Sequence, residues 1–328
     1  MTKGKKILLV GCGQIGSRHL QAIAAVPGIA QVHVVDGNAE SLALGKARLA
    51  EVKPAEAGTK FVWHERLNAD VAAGDLCILA TPATGRHALV DTIAQEFGYR
   101  QFLTEKLVAQ SLAEYDRLLE LEEKMGLKIW VHFQTRLYPI FQYLKSQISL
   151  GEPIFFSEAG GNWGLACNGI HYVDLFVFLD GAEALLPVGL RVDPTLHPSK
   201  RGKDMCDLSG VMAAATRKGS HFTISYAAGH QQNDVVTIIT PRMRWMVDMS
   251  RPAAFESKEQ GPWQPLEVKG SIFVSQTSQA IIEKNLNKGS CGLPDLTQAR
   301  VSHEFVLGQL QPEFNRLLKK NLDHCPAT

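Results

Sequence analysis

The sequence predicts a two-domain α/β protein, with a doubly wound parallel sheet in its first part and an α+β domain in its second. Three observations predict this. The first ~130 residues alternate short apolar runs with stretches of helical period, the pattern of βαβ units. Beyond them, β-type runs follow one another at turn-sized spacing with little helix between, as in an antiparallel sheet. The chain has 328 residues, and at ~150 residues per domain that length suits two domains. The change of period places the boundary near residue 132, giving domains over 1–132 and 133–328.

The elements follow in order. Ile7 to Val10 is a continuous apolar run ending at Gly11, which suits a strand buried on both faces. Ile15, Leu20, Ile23 and Ala24 then recur at helical spacing up to Pro27-Gly28. Val32 to Asp36 is a second strand, residues 75–80 a third ending at Thr81-Pro82, and Phe102-Leu103 a fourth running into Thr104-Glu105-Lys106. Ser111 and Glu114 have the spacing of a capping box before a helix lined by Leu112, Tyr115, Leu118, Leu119 and Met125. Residues 129–131 close the first domain. A helix over 137–150 leads into strands at 153–159, 184–192, 208–216, 220–227, 234–240 and 243–249. The last four have no helix between them, so they are expected to pair antiparallel through turns such as Lys218-Gly219 and Pro241-Arg242. A helix over 170–179 and two at 271–288 and 295–318 complete the pattern.

Composition narrows the function. Hydrophobic residues make up 45% and charged residues 20%, which excludes disordered and collagen-like classes. A net charge of +1 provides no global field for nucleic acid or an anionic membrane, so neither is expected as a partner. No apolar run approaches the ~18 residues of a membrane span. The six cysteines lie far apart without a Cys-x-x-Cys pair, and reduced thiols in a cytoplasmic protein are expected. No His-x-x-x-His pair or Cys/His cluster has ligand spacing, so no metal is expected.

Gly11, Gly13 and Gly16, with Gln14 and Ile15 between the last two, form a Gly-x-Gly-x-x-Gly turn between a buried strand and a helix. The first glycine permits the turn, the second lets backbone approach a diphosphate, and the third allows helix and strand to pack closely. N–H groups at the helix start then hold the phosphates. Asp36 ends the next strand, where a carboxylate accepts from an adenosine ribose and repels a 2′-phosphate. Gly37 to Glu40 include no Arg or Lys. These residues specify a Rossmann domain that takes NAD in preference to NADP. A methyltransferase loop shares the glycines, so hydride transfer does not follow from them alone.

That fingerprint is followed in order by Thr81-Pro82 with His87, Glu105-Lys106, Arg136 with Pro139, and Gly169-Ile-His171-Tyr-Val-Asp174. The ordered set resembles the Gfo/Idh/MocA family of sugar and polyol oxidoreductases over nearly the whole chain. The resemblance implies a second domain with a large, mostly antiparallel sheet, a sugar-like substrate, and a homo-oligomer built through that sheet. It implies that Thr81, Pro82, His87 and Glu105 lie on the cofactor side. It also implies that Lys106 stands beside the nicotinamide and the reacting hydroxyl, where an ammonium group stabilises alkoxide character.

His171 and Asp174, three apart, share a helix face if the segment is helical. The imidazole can accept and return the substrate proton, and Asp174 can orient it or hold a substrate hydroxyl. Arg136 matches a substrate-side position and can pair with a carboxylate or phosphate. Asn162 and Trp163 suit a sugar face, and the segment from Asn162 to His171 resembles a branch found with bacterial surface-sugar biosynthesis. Two departures stand out. Leu107 replaces the proline of the family's Glu-Lys-Pro, and Cys167 stands where the family has an aspartate. The expected function is therefore an NAD-dependent dehydrogenase acting on a secondary hydroxyl or ketone of a sugar, sugar derivative or cyclitol. The Cys167 position supports the alternative of a non-catalytic NAD-binding protein.

Overall fold

The computed structural model describes residues 4–71, 73–199, 202, 204–250, 253–267 and 274–328. The first elements are β1 (Lys5–Val10), α1 (Gly16–Ala24), β2 (Ile29–Val35), α2 (Ala39–Ala50), β3 (Lys60–His64), β4 (Leu76–Leu79), α3 (Arg86–Glu96), β5 (Gln101–Thr104), α4 (Leu112–Met125) and β6 (Lys128–Val131). They are followed by α5 (Pro139–Gln147), β7 (Phe155–Gly161), α6 (Gly169–Asp180), β8 (Leu186–Val192), β9 (His197–Pro198), β10 (Cys206–Asp207), β11 (Gly210–Ala215) and β12 (His221–Ala227). The last are β13 (Val235–Ile239), β14 (Met243–Asp248), β15 (Ala253–Lys258), β16 (Gln264–Leu266), α7 (Val274–Lys288) and α8 (Leu296–Leu318). Residues 271–273 of the helix expected over 271–288 lie outside the described residues. None of the described helices is long and apolar enough to cross a membrane.

The chain divides into two compact units. The first comprises residues 1–109, 113–134 and 272–298, and the second residues 110–112, 135–271 and 299–328. In the first unit six strands pair in parallel in the order β3-β2-β1-β4-β5-β6. Ile7, Leu8, Leu9 and the whole of β4 are buried because helices cover both faces of the sheet. The order reverses between β1 and β4, and open α/β sheets bind ligands in the crevice at the carboxyl ends of such strands. β3 escaped the sequence reading, because as an edge strand it is only half-buried and lacks a continuous apolar run. Helix α7 packs against α1, and Gln279 Nε2 donates to the Ala25 carbonyl at 3.0 Å.

The second unit carries an eight-stranded sheet in the order β16-β15-β14-β13-β7-β12-β11-β8. The four strands expected over 208–249 do not all pair in sequence. β11–β12 and β13–β14 are antiparallel hairpins, with Thr216 to Ser220 and Thr240 to Met243 closing the turns. β12 and β13 do not pair, however; β7 lies between them, parallel to β12 and antiparallel to β13. The connection over 228–234 is too long for a tight turn, which frees the two hairpins to accept β7. Phe156 of β7 anchors that insertion, with its ring centroid 5.6 Å from Phe222 and 6.0 Å from Phe176 of the covering helix α6.

Candidate functional site

In the first unit the glycine turn has the geometry its sequence requires. Gly11 has φ +88°, and a Cβ there would lie 2.7 Å from the Ala80 carbonyl carbon. A Cβ at Gly16 would lie 1.9 Å from the Gly11 carbonyl oxygen, so helix α1 can start this close to β1 only with glycine. At Gly13 the nearest neighbour of a Cβ would be Ser41 Oγ at 3.9 Å. That open approach to backbone N–H groups is what a diphosphate needs. Ser17 closes the first turn, its N–H and Oγ donating to the Gly13 carbonyl at 2.9 and 2.6 Å.

Asp36 follows β2. Its Oδ2 accepts from the Cys12 N–H at 2.7 Å and its Oδ1 from the Asn38 N–H at 2.8 Å. The carboxylate is thus tied to the glycine turn, with lone pairs remaining for a ribose. Arg48, which the sequence reading did not single out, reaches from α2 to donate to the Gln14 carbonyl and to Ser17 Oγ, each at 2.6 Å. Burial, then the Asp36 carboxylate, pushes the Cys12 thiol up to about 12, so Cys12 stays a protonated packing group. The residues present therefore fit a dinucleotide.

Thr81 and Pro82 follow β4 beside Gly11, and His87 lies in the first turn of α3, its Nδ1 4.0 Å from Glu114 Oε1. Glu105 and Lys106 follow β5, and both are buried. Their loop is gripped by Arg86, a residue the sequence did not flag. Arg86 Nη1 donates to the carbonyls of Glu105 at 2.5 Å, Val108 at 3.2 Å and Leu107, while Nη2 donates to that of Thr81. A guanidinium presents five donors in a fixed fork, which lets one side chain set the path of the whole loop.

The Glu105 side chain is held as firmly. Its Oε1 lies 2.8 Å from His19 Nε2 and 2.9 Å from His132 Nδ1, and His132 Nε2 lies 3.1 Å from Ser278 Oγ on α7. Burial would raise the Glu105 carboxyl, but the His132 and His19 contacts hold it well below the usual carboxylate range. Burial lowers His19. An ionised carboxylate therefore accepts from two imidazoles through one oxygen, Oε1. The three donor atoms could also face a cation, lying within 4.8 Å of one another, but separations of 2.8 and 2.9 Å are those of hydrogen bonds.

In the second unit His171 occupies the first turn of α6, half-buried. One turn on, Asp174 is fully buried and forms a two-point ion pair with Arg136, Nε to Oδ2 at 2.8 Å. The Arg136 guanidinium also lies 5.2 Å from the Phe178 ring. Burial raises the Asp174 carboxyl to about 6 despite Arg136. The structure therefore pairs two residues that the sequence reading assigned to separate tasks. Cys167 is half-buried, and Asp207 organises its turn, accepting from the Ala166 and Cys167 N–H groups at 2.9 and 3.0 Å. Asn162 is left-handed, with φ +66°. Trp163 stacks on His197, with centroids 4.8 Å apart and planes at 11°.

Residues 5–133 match the family model described as GFO_IDH_MocA, an oxidoreductase family with an NAD-binding Rossmann fold. No curated protein sequence matches the chain. Solved structures resemble it throughout. UDP-N-acetylglucosamine 3-dehydrogenase GnnA from Acidithiobacillus ferrooxidans is 19% identical, covering 98% of each chain with a TM-score of 0.70. An oxidoreductase from Agrobacterium radiobacter, solved with NAD+, L-tartaric acid and magnesium, is 15% identical over 92% of this chain and 94% of its own, with a TM-score of 0.72. The WlbA dehydrogenase from Bordetella pertussis, solved with NADH and UDP-GlcNAcA, is 18% identical over 93% and 94%, with a TM-score of 0.67. At these identities the likeness establishes the fold.

Proposed function

We propose that this chain, whose residues 5–133 belong to the NAD-binding domain of the Gfo/Idh/MocA oxidoreductases, is a dehydrogenase or ketoreductase. It acts on a secondary hydroxyl or ketone of a sugar, sugar derivative (including one linked to a nucleotide) or cyclitol. The observation that carries this reading is the open backbone at Gly13, with Asp36 fastened beside it through Cys12. When bound, the dinucleotide supplies the hydride acceptor or donor. N–H groups of the turn from Gly11 to Gly16, with Gln14 and Ile15, hold its diphosphate. Asp36 takes the ribose hydroxyls and repels a 2′-phosphate, which favours NAD over NADP. Thr81, Pro82 and His87 continue that surface.

Lys106 polarises the reacting oxygen, on a loop whose course Arg86 and Glu105 fix. His171 accepts the hydroxyl proton in oxidation and returns it in reduction. Asp174 positions the start of α6 through Arg136, and Asn162, Trp163 and the Cys167 turn contribute to substrate binding. The reading includes a homo-oligomer. Phe155, Val211, Val235, Ile239, Met246 and Phe255 are exposed and share one face of the eight-stranded sheet by strand register, an apolar patch of the kind that marks an interface. All six cysteines are free, the state a reducing cytoplasm maintains.

The test is incubation with NAD+ or NADH and a panel of sugars and sugar nucleotides, following absorbance at the nicotinamide band. Turnover that falls at least ~100-fold in Lys106→Ala and in His171→Ala supports the reading. NAD binding without turnover across the panel favours the non-catalytic alternative. Light scattering at micromolar concentration tests the oligomer.

A further inference from the structure

The second unit contains a pocket of about 230 Å³ at the carboxyl end of β7, lined by Asn162, Trp163, Asn168, Tyr226, Gln232 and Asp234 among others. That volume lies below the usual range for whole ligands and suits a single ring. We propose that this pocket binds an uncharged, hydroxyl-rich ring, stacked on Trp163 and hydrogen-bonded by Tyr226 and Asp234, and that it turns away a ring bearing a carboxylate. The inference rests on the sugar-oxidoreductase reading and names the class of sugar.

Trp163 is a supported platform. One face packs on His197 at 4.8 Å, yet the residue remains 37% exposed, leaving ring surface for the pocket. His197 is itself fixed: its Nε2 lies 3.0 Å from Ser209 Oγ, and that hydroxyl donates to Asp193 Oδ2 at 2.6 Å. A tryptophan braced in this way presents an apolar plane to the C–H face of a saturated ring without losing rotamer freedom on binding.

The opposite requirement, partners for hydroxyl groups, is met by polar side chains that line the pocket. Tyr226 is 2% exposed and lines the pocket, with its hydroxyl beside the Glu158 carboxyl. A phenol hydroxyl that donates to a carboxyl keeps lone pairs with which it can accept from a ligand hydroxyl. Asn162, Asn168 and Gln232 add amides that both donate and accept, matching the dual character of a sugar hydroxyl.

Charge decides the class. Asp234 Oδ2 accepts from the Tyr172 hydroxyl at 2.7 Å. Its Oδ1 lies over Gly160, where a Cβ would stand 2.1 Å from it and 3.1 Å from Glu158 Oε1. Two acidic side chains therefore crowd one wall, and burial followed by Asp234 raises Glu158 to about 9. No lysine or arginine lines the pocket among the described residues. A ligand carboxylate placed here would face Asp234 and, among the described residues, no lysine or arginine, a costly arrangement.

Calorimetric titration of the full chain loaded with NADH tests this with UDP-glucose and UDP-glucuronate, which differ at C6 in a neutral hydroxymethyl against a carboxylate. The neutral sugar is expected to bind at least about tenfold more tightly. Trp163→Ala is expected to weaken UDP-glucose about tenfold, with Trp163→Phe restoring most of it, and Asp234→Asn to bring the two sugars within a few fold. Circular dichroism confirms that the variants fold. Equal or tighter binding of the glucuronate, an unchanged Trp163→Ala, or binding of neither sugar at millimolar concentration overturns the subsite. Discriminating binding with no turnover of any sugar leaves the subsite standing and overturns the redox reading instead.

Discussion

Arg136 and Asp174, 38 residues apart, form a buried fork in which Nε donates to Oδ2 at 2.8 Å and Nη2 to Oδ1 at 2.5 Å. Removing one partner leaves an uncompensated charge in a site closed to water. Arg136→Ala is therefore expected to cost about 3 kcal/mol or more at pH 8. The loss should shrink toward pH 5. Asp174 already titrates near 6 in the folded chain, above its ordinary 3.8, and without Arg136 it escapes the penalty by taking a proton. Urea unfolding at the two pH values checks this; equal losses would remove Asp174 as the cause.

Arg86 is expected to control Lys106 from a distance. Arg86→Met keeps a buried stem but strips donors from the carbonyls of Thr81, Glu105, Leu107 and Val108. Hydrogen exchange at residues 105–109 should rise, and kcat should fall at least about tenfold and by more than NAD affinity does, because misplacing a positioned group costs rate more than binding. Unchanged exchange in that loop would show that Arg86 is a packing residue only.

Asp36→Ser is expected to weaken NADH about tenfold and to narrow the gap to NADPH, since on the proposed reading the substitution removes both the ribose acceptor and the charge that repels a 2′-phosphate. Part of the loss belongs to the protein itself, because the Cys12 and Asn38 N–H groups lose their acceptors. Fluorescence titration with the two reduced cofactors separates these contributions: a structural effect alone would weaken both equally.

Glu158 provides a prediction for pH. Burial and then Asp234 raise its carboxyl from 4.5 to about 9, and Tyr226, Tyr172 and Asp234 are the other titratable groups around it. The unfolded chain binds fewer protons than the folded one between those values, so stability falls as pH climbs through that window. Glu158→Gln is expected to flatten the melting curve against pH between about 5 and 9 and to gain at least about 1 kcal/mol at pH 8. A variant with the parent's pH dependence would assign the slope elsewhere.

Local rules carried much of this molecule. The strand, glycine turn and helix from Ile7 to Ala24 are short-range, and the sterics at Gly11 and Gly16 are those the motif implies. Asp36 was legible because strand ends place it predictably. Arg86, His19, His132 and Asp207 were not, since each acts through a partner brought near only by tertiary packing. His19 offered one faint signal, lying about one helical turn beyond Gly16 on the face of α1 turned toward the sheet. The insertion of β7 between two hairpins was hidden for the same reason: alternation of apolar residues assigns a strand its faces but not its neighbours.

Helix α7 has a further consequence. Ser278 and Gln279 reach His132 and Ala25, so the half that holds the glycine turn is finished by residues made long after it. During synthesis, α1 and the imidazole of His132 must wait for the far end of the polypeptide before their last neighbours arrive. A fragment cut after residue 134 would carry the complete nucleotide fingerprint yet lack that cover. It should therefore aggregate or need a chaperone, whereas the same fragment supplied with residues 272–298 as a separate peptide should regain solubility.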